Sequence, residues 1–279
     1  MNYGKLLTEQ RNPRTTRIDA MSTSGILRAI NREDATVAGA VRKALPAVEK
    51  AVELLVKRLR RGGRLIFVGA GTSGRLGVLE AAELPPTFGV PRDLARAVMA
   101  GGPACVWASK EGAEDDAADG GRQVADARAV DVVIGVAASG VTPFVHGALD
   151  AAKRRKAGRV LVACAPAPRS AADVVIVAKV GPEVIAGSTR LRAGTATKMV
   201  LNMLTVTAMI RLGKVYENLM VDLRTTNAKL VARAVRITAA LARTGEAEAG
   251  RAIAVGGSVK AAVVMLRLGV GRAAAERRL

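Results

Sequence analysis

Cysteine is scarce: Cys105 and Cys164 are the only two in 279 residues, which excludes a disulfide framework and the paired cysteines of a zinc site. Histidine is scarcer, with His146 alone; it reads as a packing or surface residue rather than a catalyst, and a metal site has no support. Aromatic residues make up 2% of the chain, too few for the stacking platforms that hold single-stranded nucleic acid. Long runs of one charge are absent too. The longest is Lys153-Arg154-Arg155-Lys156, so no disordered basic tail is expected. The longest stretch without an acid or base, Val132 to Leu149, contains Ser139, Gly140, Thr142, Pro143 and His146. It reads as strand, turn and helix rather than a membrane span. The first eleven residues lack the apolar core of a secretion signal, so a reducing cytoplasm is the expected compartment.

The composition that remains is globular, 50% hydrophobic and 24% charged. Its length suits one large domain, or one domain with an appendage. The formal net charge is +19. It is spread as +6 over residues 1–60, +6 over 61–221 and +7 over 222–279, and 31 of the 43 basic residues are Arg. An even spread with few aromatics argues against a nucleic-acid footprint and fits compositional drift; at most it helps to draw in an anionic substrate.

Three regions follow from the texture of the chain. Residues 1–60 form an N-terminal arm with a short helix near Ser22 to Asn31 and a longer one over Thr36 to Arg60. In the longer helix Val37, Val41, Leu45, Val48, Val52, Leu55 and Leu59 share one face, and Pro46 is expected to kink it or to mark a restart. Residues 61–221 show five short apolar runs: Arg64–Gly69, Ala95–Met99, Asp131–Val136, Arg159–Cys164 and Asp173–Ala178. Continuous rather than alternating hydrophobicity, with helices between the runs, predicts parallel strands covered on both faces. The class is α/β: a doubly wound five-stranded parallel sheet with an N-terminal helical arm and a small C-terminal helical bundle. A long helix is predicted over Arg192 to Leu212. Residues 222–279 read as helices only, over Thr225–Arg243, Glu246–Val255 and Val259–Arg267.

Two glycine-rich turns follow strands. Gly69-x-Gly71-x-x-Gly74 matches the dinucleotide fingerprint, yet the second strand ends in Met99-Ala100-Gly101-Gly102 without the acid that would hold a ribose. Dinucleotide binding is therefore disfavoured. Thr72 and Ser73 lie in the first turn, Ser139 and Thr142 in the second, each just before a helix. Helix N-termini attract anions and small hydroxyls add donors without filling space, which together suggest a site for one phosphate of a phosphosugar. The same residue types also serve as plain helix caps. Glu83 falls at the predicted end of the helix leaving the first turn, where a carboxylate opposes the macrodipole. Glu114 lies in the acidic stretch Glu111 to Asp116, where capping is the ordinary explanation.

Together, the strings Thr8–Asn12, Gly69–Gly77 (GAGTSGRLG), Ala82–Thr87, Glu111–Asp115, Ala137–Gly140, Gly181–Arg190 (GPEVIAGSTR), Ala193–Thr195, Val200–Met203 and Gly213–Asp222 resemble those of N-acetylmuramic acid 6-phosphate etherases. These are lyases of the sugar isomerase (SIS) superfamily that act in cell-wall recycling. The resemblance runs in order from residue 8 to about 230. It implies a cytoplasmic enzyme that cleaves the D-lactyl ether of its phosphorylated amino sugar substrate by elimination and rehydration, without metal or organic cofactor. It places the two catalytic glutamates at Glu83, usually taken as the acid, and Glu114. It further suggests a homodimer, a binding role for Ser188 and Thr189, and no nucleic-acid or membrane partner. The chain departs from the family at Val141, where Arg is common, and at Leu84, where Cys is common. The rival readings are a non-catalytic phosphosugar sensor like the glucokinase regulatory protein, and an aldose–ketose isomerase of the same superfamily.

Overall fold

The computed structural model describes residue 4 and residues 6–167, 170–223 and 228–279. The chain divides into two compact units, Met1–Ala82 with Asp93–Ala208, and Glu83–Arg92 with Met209–Leu279.

The first unit is built on five parallel strands: β1 (Leu65–Gly69), β2 (Ala95–Met99), β3 (Val132–Val136), β4 (Gly158–Ala163) and β5 (Val174–Val177), in the order β2-β1-β3-β4-β5. Every residue of β1 and β3 is buried, as expected for strands covered on both faces. Alternate residues serve opposite layers. Ile66, Val68, Val133 and Leu161 join one core with Phe144, Val145, Ala148 and Leu149 of α5 (Pro143–Arg154) and with Val124 after α4 (Ala117–Gln123). On the other face a Cβ at Gly77 of α3 (Gly71–Phe88) would touch Phe67. A Cβ at Gly158 would touch Leu54 of α2 (Val37–Leu59). The five apolar runs are thus the five strands, and Ala95–Met99 matches its strand end to end.

At the amino ends of β1 and β3 the fully buried Asp131 accepts the backbone amides of Arg64 and Arg128, both at 2.9 Å, and both guanidinium groups at 2.8 Å. Burial alone would raise its pKa; the bonds from Arg128 and Arg64 outweigh burial and hold it well below the usual carboxylate range.

The arm begins with α1 (Thr23–Asp34), capped by the Ser22 hydroxyl on the Gly25 amide at 3.2 Å. Pro46 lies inside α2, which runs on through it as one helix with no restart. α3 extends past Leu84 and through Pro85 and Pro86 to Phe88. The Gly89 amide then closes it on the Pro85 carbonyl at 3.0 Å. Glu83 is therefore inside the helix rather than at its end. Leu84 is buried, so an apolar side chain suits that position. α6 spans Arg192–Arg211.

The second unit holds a short antiparallel pair, β6 (Val215–Tyr216) with β7 (Leu219–Met220), and the helices α7 (Ala228–Ala242), α8 (Glu246–Gly256), α9 (Val259–Leu268) and α10 (Arg272–Glu276). The predicted start of α7 at Thr225 falls outside the described residues. Val221, Leu223, Ala234, Ile237, Leu241 and Val259 form its core, and Asp222 binds Lys214 and Lys260 at 2.8 and 2.9 Å. Among the described residues no single helix is long and apolar enough to cross a membrane.

Candidate active site

Strand order reverses between β1 and β3, and in open α/β sheets the crevice beyond the carboxyl ends at that point receives ligands. Gly69 ends β1 in register with both Met99 and Val136. The chain then turns straight into α3. A Cβ at Gly69 would lie 2.6 Å from the Gly74 nitrogen, and one at Gly74 would lie 2.5 Å from the Gly69 carbonyl oxygen. Glycine at both positions lets strand and helix meet closely enough to set the helix N-terminus over the crevice. The second turn leaves β3 and reaches α5 through Gly140, whose φ of +78° favours glycine.

A cavity of about 290 Å³ opens between these turns, lined by Thr72 and Ser73 from one and Ser139 and Thr142 from the other. The Thr72, Ser73 and Thr142 hydroxyls make no hydrogen bond among the described residues. Thr142 occupies the N-cap of α5 without capping it, so the ordinary capping explanation does not account for this hydroxyl. Ser139 accepts the Val141 amide at 3.3 Å, a local turn bond that leaves its proton available. The Gly74 amide is taken by the Ala70 carbonyl at 3.2 Å, leaving the Thr72 and Ser73 amides as orphan donors of the first turn of α3. His146 also proves structural: its Nε2 lies 2.8 Å from the Gly140 carbonyl oxygen. An acceptor there requires the proton on Nε2, so the imidazole braces the second turn.

Glu114 lines the same cavity, exposed, in a 3-10 turn over Ala113–Asp115. The cap of the following helix is Asp116, which accepts the Asp119 amide at 2.7 Å, so Glu114 is not occupied in capping. Its loop is tied to α3 by Arg75, which donates to the Val106 carbonyl at 2.7 Å and the Cys105 carbonyl at 3.0 Å. A second cavity of about 200 Å³ shares Ala70, Gly71 and Glu114 with the first and is also lined by Arg75, Ser109, Lys110 and Glu111.

The other sequence candidates divide. Thr189 lines the first cavity and Ser188 does not. Glu83 is exposed and absent from both linings. Ten residues of α3, roughly 15 Å at 1.5 Å per residue, separate it from Ser73. Sequence reasoning missed Thr8, Glu9 and Asp115, which also line the cavity. Thr8 and Glu9 stand in the string Thr8–Asn12 without any spacing that assigns them a role. They reach the site because the Gly187 amide donates to the Thr8 carbonyl at 3.1 Å. Among the described residues no Lys or Arg lines this cavity, and Val141 faces it where the family commonly has Arg. The buried Cys164 thiol is pushed up to about 11 by burial, against a weaker opposing bond from Thr197, so it stays protonated and is no nucleophile. Among the described residues no cluster of three His, Cys, Asp or Glu could hold a metal.

A parallel sheet in this order, with two hydroxyl-bearing helix starts over one crevice, defines an SIS-type α/β domain. Solved structures agree on the fold. A protein from Escherichia coli CFT073, c3406, superposes with a TM-score of 0.52 at 16% identity, covering 71% of this chain and 97% of its own. A Listeria monocytogenes protein described as a sugar-phosphate isomerase gives 0.51 at 19%, covering 69% and 93%. The glucokinase regulatory protein N-terminal SIS domain family matches residues 47–153. Relatives at far higher identity narrow the assignment. N-acetylmuramic acid 6-phosphate etherase from Symbiobacterium thermophilum is 52% identical over 97% of this chain and 91% of its own. The enzyme of that name from Serratia proteamaculans is 48% identical over 100% and 96%. The chain belongs to the N-acetylmuramic acid 6-phosphate etherase family.

Proposed function

We propose that the protein is a carbon–oxygen lyase that releases D-lactate from N-acetylmuramic acid 6-phosphate and leaves N-acetylglucosamine 6-phosphate, in the cytoplasm and as a homodimer. The observation that carries this reading is the position of Glu114, on the shared wall of two adjoining cavities. The larger suits the sugar phosphate, the smaller the lactyl group, and the bond to be broken joins the two. The phosphate is held by the hydroxyls of Thr72, Ser73, Ser139 and Thr142 and by two helix N-termini, with Thr189 lining the same cavity. Lys110 supplies a cation for the lactyl carboxylate; Arg75 is already committed to two carbonyls.

The reaction needs a base for the C2 proton of the open-chain sugar and an acid for the lactate oxygen leaving C3. Water then adds across the double bond. A positioned carboxylate contributes roughly 10²–10⁴-fold at each proton transfer. Glu114 takes one of these roles. Glu83 takes the other and is delivered by a second copy of the chain, because its own helix carries it roughly 15 Å from Ser73. Its exposure supports that arrangement.

Incubation with N-acetylmuramic acid 6-phosphate is expected to yield D-lactate and N-acetylglucosamine 6-phosphate in equal amounts. Tight phosphosugar binding without D-lactate would overturn the lyase in favour of a sensor, and light scattering checks the dimer. Lys110→Met is expected to raise KM for the lactyl substrate about tenfold while leaving N-acetylglucosamine 6-phosphate affinity unchanged.

A further inference from the structure

A third cavity, of about 420 Å³, lies elsewhere in the first unit, where the arm meets the chain between β5 and α6. Its charged lining is wholly cationic: Arg14, Arg42, Lys43, Lys179 and Arg192. Two buried carboxylates behind it offset only part of that charge. Glu33 binds Arg14 at 2.6 Å and Arg192 at 2.9 Å. Glu183 accepts the Arg192 and Ala193 amides at 3.1 and 2.8 Å. Arg42, Lys43 and Lys179 have no ion pair among the described residues, which leaves three positive charges around one concavity. Arg192 is 2% exposed and its Nε has no hydrogen-bond partner among the described residues; Glu183 stands 3.7 Å away, an ion pair too long for a hydrogen bond. The rest of the Arg192 guanidinium is taken by Glu33, by the Thr36 hydroxyl at 3.4 Å and by the Pro182 carbonyl, so Arg192 braces the wall, and the three unpaired cations Arg42, Lys43 and Lys179 make the concavity an anion receptor in charge. Gly39 and Ala40 keep the α2 wall low, and a Cβ added at Gly39 would meet nothing within 4 Å.

We propose that this cavity is a second anion site, that it takes a small metabolite carrying a phosphate or diphosphate group, and that its occupancy changes affinity in the phosphosugar cavity. A concavity of this size admits one such group, whereas a nucleic-acid backbone would need an extended track of cations. The coupling follows hydrogen bonds within the chain. Asn12 donates both to Glu33 at 2.9 Å and to the Pro182 carbonyl at 3.3 Å. Thr15 donates to the Val184 carbonyl at 2.9 Å. Thr8 holds Gly187, and Thr8, Glu9, Gly187 and Thr189 wall the phosphosugar cavity. An anion that draws Arg14 or Arg192 off Glu33 shifts Asn12 and the stretches of chain that carry those four residues.

The test is calorimetry on the full chain with inorganic pyrophosphate as the probe, at about 0.1 M salt so that exposed charges are partly screened. One saturable site is expected, weakened at least tenfold in the triple variant Arg42→Ala, Lys43→Ala, Lys179→Ala and retained in Ser139→Ala. Because the three cations are exposed and unpaired, that variant is expected to fold and melt like the parent. Undiminished binding in the triple variant, binding lost in Ser139→Ala, or displacement by a DNA duplex that strengthens with its length would each overturn the site. For the coupling, pyrophosphate should shift the Kd for N-acetylglucosamine 6-phosphate about threefold or more in the parent and less in the triple variant. Equal shifts in both proteins would mean competition at the phosphosugar cavity and would overturn it. None of these readouts depends on turnover, so the outcome is separable from that of the lyase assay.

Discussion

Two cavities of the same domain handle charge in opposite ways. Among the described residues, the phosphosugar cavity has three carboxylates, Glu9, Glu114 and Asp115, and no Lys or Arg on its wall. The cavity beside α2 has five cations and no carboxylate on its wall. The wall that carries Glu9, Glu114 and Asp115 offers an anion neutral hydroxyls and helix amides, and the cations near Glu114, Arg75 and Lys110, line the adjoining cavity instead. The net charge of +19 is therefore not concentrated where the substrate is expected. Five of the 43 basic residues line the other cavity, and three of those, Arg42, Lys43 and Lys179, have no ion pair among the described residues.

The comparison can be broken first at Glu114. Glu114→Gln keeps the size and loses the proton-carrying group, so turnover should fall by roughly 10²–10⁴-fold while N-acetylglucosamine 6-phosphate still binds with near-parental affinity. Unchanged turnover in a D-lactate assay would remove Glu114 from the chemistry. Next in size is a control placed far from both cavities. Asp131→Asn leaves Arg64 and Arg128 facing a neutral group in a buried position, and should cost about 3 kcal/mol in urea unfolding. Since folding depresses the pKa of Asp131, its contribution is complete above the unfolded value of about 3.9 and fades as pH falls through that value toward the folded one. Parent and variant should thus converge in stability in strong acid.

A smaller effect comes from placing a cation among the hydroxyls. Val141→Arg should tighten phosphosugar binding about tenfold, as a charge-assisted contact would, and make it salt-sensitive. If affinity does not move, the helix N-termini already satisfy the phosphate. The smallest effect is in the parent itself. Raising salt from about 0.05 to 0.5 M should weaken phosphosugar binding only a few-fold, and pyrophosphate binding in the cationic cavity far more. Equal losses would erase the distinction between the two sites.

Most of the sheet was legible in the sequence because buried parallel strands announce themselves as unbroken apolar runs, and Arg64–Gly69 or Ala95–Met99 contain little else. The two turns were legible because Gly, Ser and Thr at a strand end have few other uses. The length of α3 was not. Pro85 and Pro86 look like a stop, but each removes a single amide donor near the helix end, and the Gly89 bond to Pro85 completes the last turn. The division of the chain between Ala82 and Glu83 was equally invisible, since it falls inside one helix. At the site, spacing alone leaves Glu114 as an ordinary capping acid, and only the structure shows that Asp116 is the cap. Thr8 and Glu9 were missed because their position depends on partners more than 170 residues away in sequence.

That last feature also sets the order in which the domain becomes competent. β1 pairs with β2 and β3, and β3 with β4, across modest stretches of chain. The contacts of Asn12 with Pro182 and of Thr15 with Val184 close loops of 170 and 169 residues. Such closures carry the larger entropy cost and come late. On the ribosome the five strands will have emerged before residues 182–189 can meet the arm, so the sheet forms around an open crevice. The wall that completes the phosphosugar cavity is then added when Thr8 and Glu9 meet Gly187 and Thr189.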